Sequence, residues 1–405
     1  MRVVHIVSTS PHDAKAGGVE KFTRDLLPTL MDFGISPVLL GIERGRSRGD
    51  CSAVDPYEFH PLLDLTAHVK RHEPKHISAD ADKRRSVRFL ALRFYTAALL
   101  KSHKWIKRGD IIHVHRLEQL IPLLIIDNRK VLTLHSNVGL DIKIRRGRLV
   151  SKIYIMLEQI AAGRLESFGV KKIIFVSERL RREFTERYPN CSRISHVIRT
   201  GIEQNLYTPF NPAERTKLRQ NYGYTEHDRI VLSIGRLTKT KNIDLIIKAF
   251  HELKKDGTSC RLLIGGSGEM KDELERMVKQ LELEDVVFLG HIQQDKIRDY
   301  YGMADVFVIA STYEGGPITM YEALACGCPV LSTDVGTVPE LIEEGITGRI
   351  VKSFTPADIA AGIRDIIGNR DKYRINVINR RYDLSIQSIA RRYYEVYSDI
   401  APLSE

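Results

Sequence analysis

The sequence is poor in cysteine and has no long apolar run, and each shortage excludes a class of protein. Its five cysteines are scattered and odd in number, which argues against a disulfide framework and fits a reducing compartment. Cys326 and Cys328 flank one glycine, a spacing that does not suit zinc, so we expect small buried residues there. The longest uncharged apolar run, residues 120–126, is far shorter than the roughly 20 residues of a membrane span. The N-terminus reads as a buried strand without a secretory cleavage site, and we expect no signal peptide.

Several ligand-binding signatures are also absent. The segment from Gly266 reads GSGEMK, so Lys271 replaces the third glycine of the G-x-G-x-x-G dinucleotide fingerprint. No G-x-x-x-x-G-K-[ST] phosphate loop and no nucleic-acid reading motif occurs. These gaps argue against NAD binding, a P-loop NTPase and nucleic-acid recognition.

Charge is distributed unevenly along the 405 residues. Residues 1–200 contain 36 Lys+Arg and 21 Asp+Glu, a net +15, whereas the remainder contains 26 and 30, a net −4; together they give the overall +11. A chain of this length suits two domains of about 200 residues each. The basic character therefore belongs to the first predicted domain.

Short β-branched runs alternate with longer amphipathic stretches, the pattern of parallel sheets with crossover helices. The predicted strands span residues 3–8, 36–41, 111–115, 131–135, 172–177 and 195–199, then 230–235, 261–265, 286–290, 306–310 and 329–333. We expect an α/β protein with two Rossmann-like, doubly wound domains that face a central cleft. The expected boundaries are 1–203, together with a C-terminal helix at 385–405 that returns to this domain, and 204–384. Residues 201–215, with two prolines, read as the linker.

The stretch TYEGGPITMYEAL, residues 312–324, separates two glutamates by a Gly-Gly-Pro break. Proline is tolerated at a helix start, so we expect Glu314 on a loop and Glu322 in the first turn of the next helix. The free amides of Ile318 and Thr319 would then suit a phosphate. The alternative is structural, because Thr319-x-x-Glu322 also matches a capping box.

Three further groups of residues are candidates for ligand binding. Arg236 and Lys241 follow a strand closely enough to neutralise a diphosphate, although they would also suit a solvated loop. The pair Gly17–Gly18 precedes a helix expected to begin near residue 19, where the backbone could approach a ligand. Two adjacent glycines are, however, often only part of a turn. His115 and His135 lie at strand ends, where such sheets present side chains to a ligand, but buried structural histidines are the alternative.

Taken together these segments resemble the large retaining glycosyltransferase family 4, whose members have the GT-B fold. The resemblance extends over nearly the whole chain, and its most specific part is the E-x7-E motif from Glu314 to Glu322. The segments SIGRLTKTKN, LLIGGSGEM, VVFLG and GGVEKFTRDLLPTL add to it. The family's common EGFGLP loop reads EGGPIT here, so donor identity does not follow. The family's N-G-[VI]-D before the linker is Thr200-Gly201-Ile202-Glu203.

The resemblance implies a role for each matching residue. Arg236 and Lys241 would hold the donor's pyrophosphate, Glu322 would bind the ribose and Glu314 would face the transferred sugar. His135 would lie against the sugar near the reacting carbon, which makes it catalytic together with Glu314, Arg236 and Lys241. The remaining donor-binding residues would be Gly17, Gly18, Gly266, Gly290, His291, Ile292, Gly316, Pro317, Ile318 and Thr319. His115 would lie on the acceptor side.

The donor would be a UDP- or GDP-linked hexose or N-acetylhexosamine, and the resemblance implies neither a metal nor a cofactor because cations and a helix end neutralise the diphosphate. The acceptor would be a lipid-linked glycan or an oligosaccharide of cell-surface polysaccharide synthesis. Residues 70–108 contain 12 Lys+Arg and 3 Asp+Glu, with Trp105 and other apolar residues interleaved, and residues 143–152 are also basic.

Such stretches fit an anionic leaflet, so we expect a cytoplasmic enzyme peripheral on the inner membrane face. A solvated helix with its apolar side in the core is the alternative. An epimerase or hydrolase that uses nucleotide sugars, or a nucleic-acid-binding protein, are the rival functions.

Overall fold

The computed structural model describes residues 1–7, 18–43, 57–64, 104–120, 123, 126–136, 159, 162–380 and 382–401. These residues form two compact units, one of residues 1–201 with 386–405 and one of residues 202–385. The expected boundary after residue 203 thus lies two residues beyond the division between the units. Gly17, Cys51 and the basic segments 70–103 and 143–152 lie outside the described residues.

The first unit contains a sheet in which the described strands are all parallel. Its strands are β1 Arg2–Ile6, β2 Ser36–Glu43, β3 Glu58–Asp64, β4 Ile111–Val114, β5 Lys130–Leu134, β6 Val170–Phe175 and β7 Ser195–Val197. Its described helices are α1 Gly18–Met31, α2 Leu117–Leu120, α3 Glu178–Arg187 and, from the end of the chain, α12 Ile386–Ile400. The strand order is β3-β2-β1-β4-β5-β6-β7, which places the reversal of winding between β1 and β4.

The second unit repeats this architecture with six described strands in the order β10-β9-β8-β11-β12-β13. They are β8 Ile230–Ile234, β9 Arg261–Gly265, β10 Val286–Gly290, β11 Val306–Ile309, β12 Val330–Thr333 and β13 Gly348–Val351. The helices are α4 Pro212–Asn221, α5 Ile243–Lys255, α6 Lys271–Gln280, α7 Gln294–Met303, α8 Ile318–Ala325, α9 Val338–Leu341, α10 Pro356–Gly368 and α11 Arg370–Arg380. The reversal of winding lies between β8 and β11.

Helices cover both faces of the second sheet, as β11 illustrates. Successive side chains of a strand point to opposite faces. Val306 and Val308 accordingly belong to one buried apolar cluster, and Phe307 and Ile309 to another. A strand buried on both faces has a continuous apolar sequence rather than an alternating one. The predicted α/β class with two doubly wound parallel sheets is confirmed.

The interpretation of residues 201–215 as a linker is wrong for most of its length. Asn211 is the N-cap of α4: its side chain accepts a hydrogen bond from the Glu214 amide at 2.9 Å, and the Glu214 carboxylate accepts from the Asn211 amide at 3.0 Å. Pro212 occupies the first helical turn, where its missing N–H costs nothing. Tyr207 is buried. The segment therefore packs into the second unit instead of spacing two domains.

Candidate functional site

Two loops of the second unit meet at the point where the strand order reverses. One loop follows β8, the other follows β11, and these strands are neighbours in the sheet. The Asn242 side chain donates to the Ala310 carbonyl and to the Thr312 hydroxyl, each at 2.8 Å. The Thr312 amide donates to the Thr240 carbonyl at 2.9 Å. These hydrogen bonds hold the two loops side by side at the ligand-binding end of the sheet.

The predicted cations and the first motif glutamate lie on these loops. The Lys241 ammonium forms an ion pair with the Glu314 carboxylate, and the Ser311 hydroxyl donates to the same carboxylate at 2.8 Å. Lys241 and Glu314 are 26% and 16% exposed, so both remain within reach of a ligand. Arg236 is exposed, and it forms no ion pair with any residue that the structure describes. The charge of Lys241 is therefore balanced by Glu314, whereas the charge of Arg236 is available to a ligand.

Glycines allow two backbone segments to approach these loops closely. Gly266 has a φ of +125°, and a Cβ atom there would lie 1.9 Å from the Gly235 carbonyl oxygen. Gly336 has a φ of +51°, and its Cβ would lie 2.4 Å from the Gly315 carbonyl oxygen. A larger residue at either position would displace backbone. Gly266, which begins the segment that departs from the dinucleotide fingerprint, thus allows close packing against the loop that carries Arg236.

The break at residues 315–317 places Glu314 on a loop, as predicted, and α8 begins directly after Pro317. No side chain caps this helix, so the structural alternative, a Thr319–Glu322 capping box, does not form. The Ile318 and Thr319 amides therefore lie at an uncapped helix N-terminus, where the helix dipole favours an anion. Gly316 and Pro317 connect them to Glu314.

Glu322 is not in the first turn of α8, since the helix begins at Ile318 and Glu322 is its fifth residue. Its side chain is 1% exposed. One carboxylate oxygen accepts a hydrogen bond from the Tyr207 hydroxyl at 3.0 Å, and the other accepts from the Tyr301 hydroxyl at 2.9 Å. Burial, followed by the charge of Glu322, raises the pKa of both tyrosines. The structure thus places this glutamate as a buried acceptor, and ribose binding stays a prediction.

The remaining donor-side residues surround the ends of β9 and β10. Gly290 has a φ of +66° and ends β10, followed by the exposed His291 and the half-buried Ile292. A Cβ atom on Gly265 would meet the Ile292 side chain at 2.5 Å, which places Ile292 against the end of β9. In the first unit Gly18 is the first residue of α1, one position before the predicted start.

The histidines of the first unit form a larger group than the sequence indicated. His135 and His115 are joined by a hydrogen bond between His115 Nδ1 and His135 Nε2 at 3.1 Å. A second one joins His5 Nδ1 to His115 Nε2 at 3.2 Å. His113 instead contacts the hydroxyls of Tyr397 at 2.6 Å and Thr133 at 2.7 Å.

Sequence reasoning missed His5 and His113, which are fully buried. The signal was available, because each interrupts an otherwise apolar strand.

Burial determines the charge state of this group. It lowers the pKa of His115 to about 3, with a smaller effect from Arg116. Burial is also the largest cause of the lowered pKa values of His5, His113 and His135, to which neighbouring histidines add. All four imidazoles are therefore neutral near pH 7.

Two expectations outside the site can also be compared with the structure. Cys191, Cys260, Cys326 and Cys328 are buried and free, as expected of small core residues. Trp105, expected on a lipid-facing side, instead packs against the core of the first unit and stacks on His60 with ring centroids 3.5 Å apart. Among the described residues, no helix is long and apolar enough to cross a membrane.

Known proteins resemble both units. A family model described as "Glycosyltransferase Family 4" matches residues 16–206, and one described as "Glycosyl transferases group 1" matches residues 214–383. The D-inositol 3-phosphate glycosyltransferase of Geodermatophilus obscurus is 26% identical over 91% of this chain and 78% of its own length.

Two further relatives match over less of their length. An uncharacterised glycosyltransferase of Methanocaldococcus jannaschii is 30% identical over 58% of this chain and 61% of its own length. The α-monoglucosyldiacylglycerol synthase of Streptococcus pneumoniae is 30% identical over 50% of this chain and 46% of its own length. The chain therefore spans less than two thirds of these two relatives.

A solved structure gives the fold. HepE of Anabaena in complex with UDP-glucose superposes with a TM-score of 0.73, at 18% identity, over 99% of this chain and all of that one (100%). This likeness covers both units in their chain order, so it confirms the predicted GT-B fold. With the two family matches, it follows that the chain belongs to the family 4 glycosyltransferases and is an enzyme of that type.

Proposed function

We propose that this enzyme transfers a hexose or N-acetylhexosamine from a UDP- or GDP-sugar, with retention of anomeric configuration, to a lipid-linked glycan or an oligosaccharide. The observation that supports the donor site best is the meeting of the β8 and β11 loops. There Lys241 contacts Glu314, and Arg236 is exposed without an ion pair to any described residue.

The charges that develop during sugar transfer suit a site that combines cations with a carboxylate. When the sugar leaves, negative charge grows on the diphosphate and positive charge on the anomeric carbon. Arg236, Lys241 and the Ile318 and Thr319 amides would neutralise the diphosphate without a metal ion. Glu314 would face the sugar, where its carboxylate stabilises the positive carbon. Activity should therefore persist in the presence of a chelator.

Direct transfer, without a covalent intermediate, is the mechanism that the family resemblance implies, and the state of Glu322 fits it because both of its oxygens accept from buried tyrosine hydroxyls. Lys241 and Ser311 both contact Oε1 of Glu314, so only the other oxygen of that carboxylate is left to face a ligand. A carboxylate nucleophile needs a free oxygen directed at the anomeric carbon. The acceptor would then attack on the face from which the diphosphate departs, which preserves the configuration.

The donor base follows from the relatives only as a proposal. HepE of Anabaena forms a complex with UDP-glucose, which supports a uridine nucleotide. A thermal-shift panel of UDP-, GDP-, ADP- and CDP-sugars would identify the class, because a ligand that binds only the folded state raises the melting temperature. A shift with one class, lost in Lys241→Met, supports the donor site. Equal shifts in the variant would argue against it.

The acceptor is proposed from sequence chemistry. The name of the Streptococcus pneumoniae relative indicates a lipid product, and residues 70–108 of this chain combine 12 cations with apolar residues. Such a segment suits a peripheral enzyme at the cytoplasmic face of an anionic membrane. Sugar transfer to a lipid extract, followed by NMR of the product's anomeric proton, tests acceptor and configuration together. Nucleotide release at the same rate without acceptor would favour a hydrolase instead.

Membrane association needs its own test. Co-sedimentation with vesicles of anionic lipid should decrease with salt and be absent with neutral lipid. A variant with Arg84, Arg85 and Arg88 changed to Glu should lose this binding. The matched control carries the same changes at Lys255, Lys271 and Lys279 of the second unit and should still bind. Equal loss in both variants would point to net charge alone, and no salt dependence would contradict the proposal.

A further inference from the structure

The hydrogen-bonded row of imidazoles in the first unit, called here the histidine chain, consists of His5, His115 and His135. His5 is the second-last residue of β1, and His115 and His135 directly follow β4 and β5. His5 is fully buried and His115 nearly so, whereas His135 is half-buried. The chain therefore has a buried end and an end that a ligand can reach.

The three tautomers depend on one another. A neutral imidazole has one N–H donor and one acceptor nitrogen. His115 uses both nitrogens within the chain, so one donates and the other accepts. Either every ring carries its proton on Nδ1, and donation runs outward from His5, or every ring carries it on Nε2, and donation runs inward. A mixed arrangement breaks a hydrogen bond.

The buried end decides between the two directions. His5 Nε2 is buried and has no hydrogen-bond partner among the described residues. Inward donation would leave an N–H group unsatisfied there, which is rarer in proteins than an unsatisfied acceptor. At the other end, His135 Nδ1 can be satisfied by water or ligand in either state. The free-energy cost of burying His5 Nε2 without a partner is therefore lower when hydrogen bonds are donated outward, from His5 towards His135.

We propose that His115, backed by His5, is a positioning residue that holds His135 in the Nδ1–H tautomer, so that His135 presents a neutral hydrogen-bond donor to a hydroxyl oxygen of the transferred sugar. That the sugar lies at His135 rests on the proposed function and on the role that the family resemblance implies for this histidine. A neutral donor suits that location, since an imidazolium would repel the positive charge that develops on the anomeric carbon.

A metal site is the competing interpretation of the same residues. The ring nitrogens of His5, His113 and His115 lie within 4.8 Å of one another. Zinc–nitrogen bonds of about 2.1 Å in a tetrahedron bring ligand atoms to roughly 3.4 Å. Moreover, both nitrogens of His113 and both of His115 already make hydrogen bonds. The geometry favours the hydrogen-bonded chain.

The tautomer can be observed directly. Full-length protein labelled with ¹⁵N-histidine gives long-range ¹H–¹⁵N correlations that distinguish Nδ1–H, Nε2–H and imidazolium, and a His135→Ala variant assigns the signals. The wild type should show His135 protonated on Nδ1 alone at neutral pH. In His115→Phe the Nε2–H form should appear, kcat/KM should fall about tenfold, the effect of one lost hydrogen bond, and affinity for the nucleoside diphosphate alone should stay unchanged.

Two variants separate positioning from folding. His115→Asn keeps an amide donor near His135 Nε2 and should retain the Nδ1–H tautomer. His113→Phe removes an equally buried histidine outside the chain, and should lower the melting temperature without changing the His135 tautomer. If His115→Phe fails to fold, the spectra of the wild type and of His115→Asn still show which tautomer His135 adopts.

A wild-type His135 that is Nε2–H or charged, or a tautomer unaffected in His115→Phe, overturns the proposal. Absence of sugar transfer from any donor, with the Nδ1–H tautomer intact, would instead overturn the proposed function alone.

Discussion

Lys241 and Glu314 form an ion pair between the loops that leave the adjacent strands β8 and β11. The predicted phosphate-binding cation is thus held by the glutamate that is predicted to face the sugar. A donor diphosphate would compete with Glu314 for the Lys241 ammonium. Removal of the Lys241 cation should therefore lower nucleotide affinity, whereas removal of the Glu314 carboxylate should raise it.

We expect Lys241→Met to weaken nucleoside diphosphate binding at least tenfold and to lower kcat/KM by about a hundredfold, because the transition-state charge loses a cation. Glu314→Gln should lower kcat but leave nucleotide affinity unchanged or tighter, since Lys241 is released. Calorimetry and initial rates measure both. Lys239→Met, an exposed cation of the same turn, is the control and should stay within about twofold. Equal losses in Lys239→Met and Lys241→Met would contradict this account.

Glu322→Gln should destabilise the second unit by about 1–3 kcal/mol, because the amide cannot accept from both Tyr207 and Tyr301 as the carboxylate does. Urea unfolding measures the change. Glu284→Gln, at an exposed position, should have no effect beyond about 0.5 kcal/mol. If the two variants unfold alike, Glu322 is not a buried acceptor in solution. Thr319→Ala should also be neutral, because no side chain caps α8.

Stability should fall as the pH drops below about 6.5, the ordinary histidine pKa. The folded-state pKa values of His5, His113, His115 and His135 are lowered, so between these values and 6.5 the unfolded chain binds more protons than the folded one. For His115 this window extends down to a pH of about 3.

Each histidine whose folded-state pKa lies below the window contributes up to about 1.4 kcal/mol per pH unit to the slope of stability against pH. Melting temperatures measured across the window give that slope. His113→Phe should reduce it by about one proton. Stability that does not change between pH 7.5 and 5.5 would mean that these histidines are accessible to protons in the folded state.

Asp305→Asn should cost about 3–5 kcal/mol of the free energy of unfolding. The carboxylate is 1% exposed and binds Arg215 at 2.8 Å and Arg219 at 2.9 Å. Burial alone would raise its pKa, yet Arg219 and Arg215 lower it, so the pair is charged and an amide would leave guanidinium charge uncompensated. Asp256→Asn breaks an exposed pair with Arg364 and should change stability by less than about 1 kcal/mol. Comparable losses in both variants would contradict the assignment.

The sequence predicted strands where a short apolar run stood out, as in residues 261–265 and 286–290, whose predicted bounds coincide with β9 and with the edge strand β10. It missed β3 and β13, since Pro61 interrupts one and the other, GRIV, is short and half polar. Both lie at sheet edges, where proline and polar residues are tolerated.

Site residues were harder to predict when their role depends on packing between distant segments. The ion pair of Lys241 and Glu314 joins residues 73 positions apart, and the contact of Tyr207 with Glu322 joins residues 115 apart. Tyr207 lay in a segment that resembled a linker, and His5 was overlooked although it interrupts an otherwise apolar strand. Sequence spacing reveals neither contact, because both depend on the register of the sheet.

We propose above all that the nucleotide-sugar donor binds where the β8 and β11 loops meet. The decisive measurement is isothermal titration of UDP and GDP into the wild type, Lys241→Met and Arg236→Ala. We expect one nucleotide to bind the wild type, and both variants, still folded, to bind it at least tenfold more weakly. Unchanged affinity in both variants, or no binding of either nucleotide to the wild type, would contradict it.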